Sequence, residues 1–222
     1  MILFKNLPQL CQMARQYKRV LDVGGWFRPF NLSTHVIDIE PYETRQTFHA
    51  LDPEHSERFV VETWYQLDAC KDEWPFPDNF FDFSVCSHTL EDLPDPIAVC
   101  RQLNRVSKAG YIEVPSKMRE IFTKQRLARL RLLAGLPVEI GFEHHHWICD
   151  LQGNTITFHP KKLEEIKRYN AFISRGDIGR KMTQDESGLC LWWNDKFDFQ
   201  KIDISIEKII SYKDEVLHIL KK

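Results

Sequence analysis

The stretch Arg19–Glu40, RVLDVGGWFRPFNLSTHVIDIE, decides the fold. Two short apolar runs, Val20–Val23 and His35–Ile39, each carry an aspartate and flank the pair Gly24–Gly25. Runs this short and this apolar read as strands buried on both faces, as in a parallel sheet. A nucleotide-binding loop would continue into a crossover helix. Only residues 24–34 separate the two runs, and they include Pro29, Asn31 and Ser33, so no normal first helix is expected there.

Working outward, residues 7–18 can form a lead-in helix with Leu7, Leu10, Met13, Ala14 and Tyr17 on one face. The segment YQLDA supplies a third strand ending at Asp68–Ala69, and a fourth runs from about Phe81 to Ser87. LPDPIAVCRQLNRVSKAG reads as a helix, capped by Asp95 with Pro96 at its first position and closed by Lys108 and Gly110. YIEVP follows as a fifth strand. The expected fold class is α/β, a Rossmann-like, mainly parallel sheet with helices on both faces. In the second half, residues 117–134 read as a basic lid helix and 161–174 as another helix. Two hairpins are expected, one turning at Gly153–Asn154 and one around Asn194–Lys196, with a terminal helix over 207–221. Gly176–Gly188 is the candidate mobile loop, and the pair Trp192–Trp193 reads as hairpin packing. The whole chain, 1–222, reads as one domain with a cofactor half (about 19–116) and an acceptor half (about 117–222).

Open parallel sheets bind ligands beyond the carboxyl ends of their strands. Each strand end here offers a polar group: Asp22 with Gly24 and Gly25, then Asp38 with Glu40, then Asp68, then Ser87–His88. Glycines admit close backbone approach to a ligand. An acid after the second strand can accept both ribose hydroxyls, Asp68 can accept from an adenine amino group, and Asp22 can brace the loop or face a cation. A dinucleotide needs a third glycine and a helix N-terminus facing its pyrophosphate. The loop reads GGWFRP and lacks both, which disfavours a nicotinamide-dependent oxidoreductase. S-adenosylmethionine carries no phosphate and tolerates the truncation.

These five segments together resemble the class I S-adenosylmethionine-dependent methyltransferases, in the subgroup with the FPDNFFDFSVCSHTLEDLPDP pattern. VLDVGG is similar to the glycine loop, VIDIE to the acidic second strand, QLDA to the adenine-side acid, FDFSVCSHTLEDLPDP to the fourth strand and helix start, and KAGYIEVPS to the fifth strand. The resemblance implies methyl transfer from S-adenosylmethionine, with Asp22, Gly24, Gly25, Trp26, Asp38, Ile39, Asp68, Ala69, Ser87 and His88 lining the cofactor site. Trp26 and Phe27 are expected to cover part of the cofactor, since an aromatic face suits a sulfonium.

The acceptor has no recognisable pattern. A small-molecule or saccharide-type acceptor is the expectation. The alternatives are an inactive S-adenosylmethionine-binding protein and an RNA methyltransferase using the basic segment 117–131. A net charge of −2 and the absence of an appended RNA-binding module disfavour nucleic acid. If the acceptor arrives protonated, the base candidates are His88, Glu113, His145 and His146. In an extended His144–His146 run, His144 and His146 would share a face with His145 opposite. No cysteine or acid lies at standard metal-ligand spacing around the triplet, so no metal is expected. Six scattered cysteines without a CxxC pair, no signal-peptide pattern and no apolar run near the ~20 residues of a membrane span point to a cytoplasmic protein with reduced thiols.

Overall fold

The structure, a computed structural model, describes residues 2–45 and 56–220. The elements, in chain order, begin with α1 (Leu7–Gln16), β1 (Val20–Val23), β2 (His35–Asp38), β3 (Trp64–Gln66), β4 (Phe83–Ser87), α2 (Pro96–Val106) and β5 (Ala109–Pro115). The second half supplies α3 (Lys117–Glu120), β6 (Phe122–Thr123), α4 (Ala128–Leu133), β7 (Trp147–Gln152), β8 (Thr155–Pro160), α5 (Leu163–Arg168), β9 (Ile173–Ser174), α6 (Gln184–Ser187), β10 (Gly188–Asn194), β11 (Asp198–Lys201) and α7 (Ile206–Leu220).

The central sheet has the order β10-β5-β4-β1-β2-β3. Its first-half strands are all parallel, and β10 runs antiparallel along the full length of β5. Side-chain alternation divides the two faces. Val20, Phe83, Val85 and Tyr111 pack with Leu10 and Ala14 of α1. Leu21, Val23, Cys86 and Ile112 pack with Val99, Leu103 and Val106 of α2. Burying each such aliphatic side chain contributes roughly 1.5–3 kcal/mol. Two helices on opposite faces are what a parallel sheet requires, and the α/β Rossmann-like expectation holds.

Residues 24–34 join β1 to β2 without a helix, as the prolines and polar residues imply. The Arg58 guanidinium anchors this region by donating to the carbonyls of Ala14, Leu32 and Tyr17. The start of α2 is as expected: the Asp95 carboxylate accepts from the Ala98 amide at 3.2 Å, with Pro96 at the first position. Its end is earlier than expected. Gly110 lies inside β5, not at a helix stop.

The second half departs further. The basic helix expected over 117–134 is broken into α3 and α4, because Ile121 and Thr123 give their carbonyls to the amides of Ile173 and Arg175. Those pairings also shorten the helix expected over 161–174 to α5. The hairpin at Gly153–Asn154 forms as β7–β8. The one expected around Asn194–Lys196 does not: β10 is held by β5, and β11 pairs in parallel with β8 in a separate three-stranded sheet. Trp193 and Phe197 sit between the two sheets in the main core, while Trp192 packs on Tyr111. The segment expected to be a mobile loop carries a capped turn, with the Thr183 hydroxyl and Glu186 closing a capping box and Arg180 paired to Glu186. Residue 221 of the expected terminal helix lies outside the described residues. None of the six cysteines, all among the described residues, is in a disulfide. No helix among the described residues is long and apolar enough to cross a membrane.

Candidate functional site

The strand order reverses beside β1, so the ends of β1, β2 and β4 open a crevice. Gly24 starts its floor. Its φ is +77°, and a Cβ there would meet the Thr89 side chain at 2.2 Å, so only glycine fits. The Thr89 hydroxyl donates to the Val23 carbonyl at 3.1 Å, tying the turn after β4 to the glycine loop. Asp22 and Asp38 brace the loop from either side. Asp22 Oδ2 accepts from the Phe30 amide at 2.8 Å. Asp38 accepts from the amides of Trp26 (2.8 Å) and Glu40 (2.9 Å). Burial pushes the Asp22 carboxyl up to about 7, against the lowering effect of the Phe30 amide and with help from Asp38. Burial raises Asp38 as well.

Three cavities meet in this crevice. The smallest, about 200 Å³, is lined by Asp22, Gly24, Gly25, Phe27, Arg28 and Ser87. A second, about 490 Å³, runs past Trp26, Asp38, Ile39, Glu40, Asp68 and Ala69. The third, about 570 Å³, is lined by Glu91, Asp92, Arg119, Phe142, His144 and His145 among others. His88 lines all three. The crevice thus gathers Asp22, Gly24, Gly25, Trp26, Asp38, Ile39, Asp68, Ala69, Ser87 and His88. Asp68 is already engaged: its carboxylate pairs with Lys71 at 2.7 Å and accepts from the Cys70 amide, and the lysine holds its pKa down.

His88 stands at φ +54° between two buried carboxylates. Its Nε2 is 3.0 Å from Glu113 and its Nδ1 is 3.4 Å from Glu91. Burial alone would lower its pKa, but Glu113 and Glu91 together raise it to about 9. At neutral pH His88 is a cation, able to donate a proton and unable to accept one. Glu113 is fully buried. Besides His88 it accepts from the Leu3 amide and the Tyr111 hydroxyl. It faces the interior of the sheet, not the cavities.

The histidine triplet is not extended. Residues 143–144 form a turn, which brings His144 and His145 to the same side and leaves His146 exposed. His144 and His145 line the large cavity; His146 lines none of the three. His145 is buried and stacked on Phe142. Its Nδ1 is 2.6 Å from Glu120, whose other oxygen is 2.5 Å from the Lys161 ammonium. A carboxylate facing an ammonium is an acceptor, so Nδ1 donates to Glu120, and Nε2 is the ring nitrogen left toward Asp92, 3.4 Å away. In the basic segment, Lys117 pairs with Asp150, Arg129 with Asp177, Arg119 covers Phe142 and Arg131 donates to Pro137. Lys117, Arg129 and Arg131 are thus engaged within the chain, while Arg119 also lines the large cavity.

Sequence reasoning missed Thr89, Glu91, Asp92, Glu120 and Lys161. The run HTLED, placing a hydroxyl and two acids directly after the fourth strand, was the available signal for the first three. Nothing local marks Glu120 or Lys161, whose roles come from distant partners.

An open α/β sheet with a glycine loop and acidic strand ends defines a nucleotide- or adenosyl-binding crevice of the Rossmann-like class. Residues 30–112 match the family model of the methyltransferase domain. No curated protein matches the chain at a significant level. Among solved structures, the chain is similar to the YcgJ protein of Bacillus subtilis (22% identity, 50% of this chain and 51% of that one, TM-score 0.37). It is also similar to an S-adenosylmethionine-dependent methyltransferase of Mesorhizobium loti (17%, 48% and 50%, 0.35) and to the methyltransferase CalH in complex with S-adenosylhomocysteine (18%, 50% and 36%, 0.37). The chain spans about half the length of the first two and less of the third.

Proposed function

We propose that this protein transfers the methyl group of S-adenosylmethionine to a small, hydroxyl-rich acceptor of the saccharide type, using the half around residues 19–116 for cofactor and 117–222 for acceptor. The observation that carries the reading is the three-part cleft, in which two smaller cavities and one larger cavity meet at His88. S-adenosylmethionine supplies a methyl group activated by its sulfonium leaving group.

The residues fit that group. The smallest cavity offers the Asp22 carboxylate to an ammonium and an unpartnered Ser87 hydroxyl. The next offers Asp38 and Glu40 to ribose hydroxyls, Asp68 and Ala69 to an adenine edge, and the exposed Ile39 to an adenine face. Asp38 accepts two amides and keeps lone pairs for further donors. Around the meeting point, one imidazolium faces two carboxylates, and both Glu91 oxygens lack a hydrogen-bond partner. This surplus of negative charge suits a sulfonium.

The large cavity has the volume of a small-molecule site. Its acids, histidines, Arg119, Thr183 and Gln184 offer hydrogen bonds to a polyhydroxyl ligand. Holding an acceptor against the methyl group supplies most of the rate gain. Among the base candidates, His145 is the one that lines the large cavity with its Nδ1 already engaged by a carboxylate; His88 is protonated, Glu113 lines none of the three cavities and neither does His146.

The test is calorimetric titration with S-adenosylmethionine and S-adenosylhomocysteine, on the protein and on Asp38→Ala and Ile39→Glu. Micromolar binding lost in Ile39→Glu, an exposed position that leaves the fold intact, supports the reading and opens a sugar-acceptor screen for S-adenosylhomocysteine release. A folded protein that binds neither compound overturns it.

A further inference from the structure

We propose that Asp92, His144 and His145 form a site for a first-row divalent cation at the junction of the acceptor and cofactor cavities. His145 Nε2 lies 3.4 Å from Asp92 Oδ1, and His144 Nε2 lies 3.8 Å from the same oxygen. All three donor atoms fall within 4.8 Å of one another. These separations are too long for the groups to satisfy each other: Asp92 Oδ1 is buried and has no hydrogen-bond partner. The two separations from Asp92 are close to those of ligands on a shared ion. Ligands at about 2.0–2.1 Å from a tetrahedral metal stand about 3.4 Å apart.

The surroundings are those of a ligand set. His145 Nδ1 donates to Glu120 at 2.6 Å, and Glu120 is fixed by Lys161. A carboxylate behind the imidazole sets the tautomer that leaves Nε2 free and holds the ring, as behind metal-binding histidines generally. Asp92 is placed by its own amide, which donates to the Thr89 carbonyl at 3.1 Å. His144 is exposed and closes the outer side. Two imidazoles and one carboxylate select zinc, cobalt, manganese or iron over magnesium or calcium, and three protein ligands leave a coordination position open. Metal-spacing patterns in the sequence do not find this set, because Asp92 comes from the turn after β4 and the histidines precede β7.

Asp92 lines the acceptor cavity and the neighbouring cofactor cavity alike. An ion there would hold an acceptor hydroxyl beside the methyl donor and lower its pKa, releasing the proton to solvent. Bound metal occupies His145 Nε2, so the ion takes over the task of a base. That role rests on the methyl-transfer reading; the binding of the ion does not.

The experiment is a titration of tag-free, chelator-treated protein with cobalt(II), followed by visible absorption, alongside calorimetry with S-adenosylhomocysteine. One cobalt per chain is expected, with affinity at least tenfold weaker in Asp92→Ala and in His144→Ala and unchanged in His218→Ala. No cobalt binding by a protein that binds S-adenosylhomocysteine overturns the metal site and leaves the methyl-transfer reading standing. Cobalt binding that survives both Asp92→Ala and His144→Ala places the ion elsewhere and equally overturns the site. Cobalt binding at these residues without S-adenosylhomocysteine binding keeps the site and removes the methyl-transfer reading.

Discussion

Two histidines in this molecule each stand between two carboxylates, and they are in opposite situations. His88 faces Glu91 and Glu113, and nothing cationic among their described partners offsets either acid. The imidazole therefore supplies the positive charge itself. His145 faces Glu120 and Asp92, but Glu120 is already paired with the Lys161 ammonium. Its Nδ1 is held by an acid that already has a cation, and its Nε2 turns to Asp92. Lys161, directly after β8, is what separates the two settings. Counting carboxylates around a histidine does not decide its role; counting what already neutralises them does.

The largest expected effect comes from removing that counter-charge relation. Lys161 and Glu120 are both 1% exposed, so Glu120→Gln strands a buried ammonium. It should cost about 3–5 kcal/mol in chemical denaturation, and Glu120→Leu with Lys161→Met should recover most of the loss. If the single variant is as stable as the parent, the two histidine sites are not distinguished by Lys161.

Next in size is a pH effect at the other histidine. The folded pKa of His88, about 9, lies above its ordinary 6.5. Its stabilisation is therefore complete below pH 6.5 and lost as pH rises through 9, amounting to roughly 3 kcal/mol at most. Thermal midpoints from pH 6.5 to 9.5 should fall in the parent and stay flatter in His88→Asn, a residue that tolerates positive φ. Equal slopes in the two proteins would refute the charged assignment.

A smaller effect tests the acid on the cofactor side. Asp22 titrates near 7 in the free protein, and a cofactor ammonium favours its ionised form. Cofactor affinity should rise by about tenfold from pH 6 to pH 8 and lose that dependence in Asp22→Asn, read by calorimetry. The smallest effect is at the partly exposed Lys117–Asp150 pair, where Lys117→Met should change stability by less than about 1 kcal/mol. A larger loss would mean that the basic segment carries more than surface pairing.

The cofactor side was readable because its signals are local. A glycine whose Cβ would strike Thr89, a strand ending in Asp38 and a proline opening α2 each declare themselves within a few residues. The acceptor side depends on distant partners. The carbonyls of Ile121 and Thr123 break a helix whose basic and apolar pattern is otherwise continuous, because they serve amides of the β9 region. The β10 strand leaves its expected hairpin because β5 offers it a whole edge. Glu113 is a base candidate in sequence, yet in the fold it accepts from the Leu3 amide and the Tyr111 hydroxyl, both from its interior side. Histidines 144 and 145 share a side only because a turn replaces the extended run that alternation assumes.

The Thr89 hydroxyl that donates to the Val23 carbonyl also packs on Gly24, three residues from Asp92. The floor under one ligand and the wall beside the other are therefore one mechanical piece. Linkage makes the exchange even-handed: whatever factor a bound cofactor applies to acceptor affinity through this turn, the acceptor returns to the cofactor. An order of binding observed in kinetics would then reflect which partner arrives first, while the equilibrium stays symmetric between them.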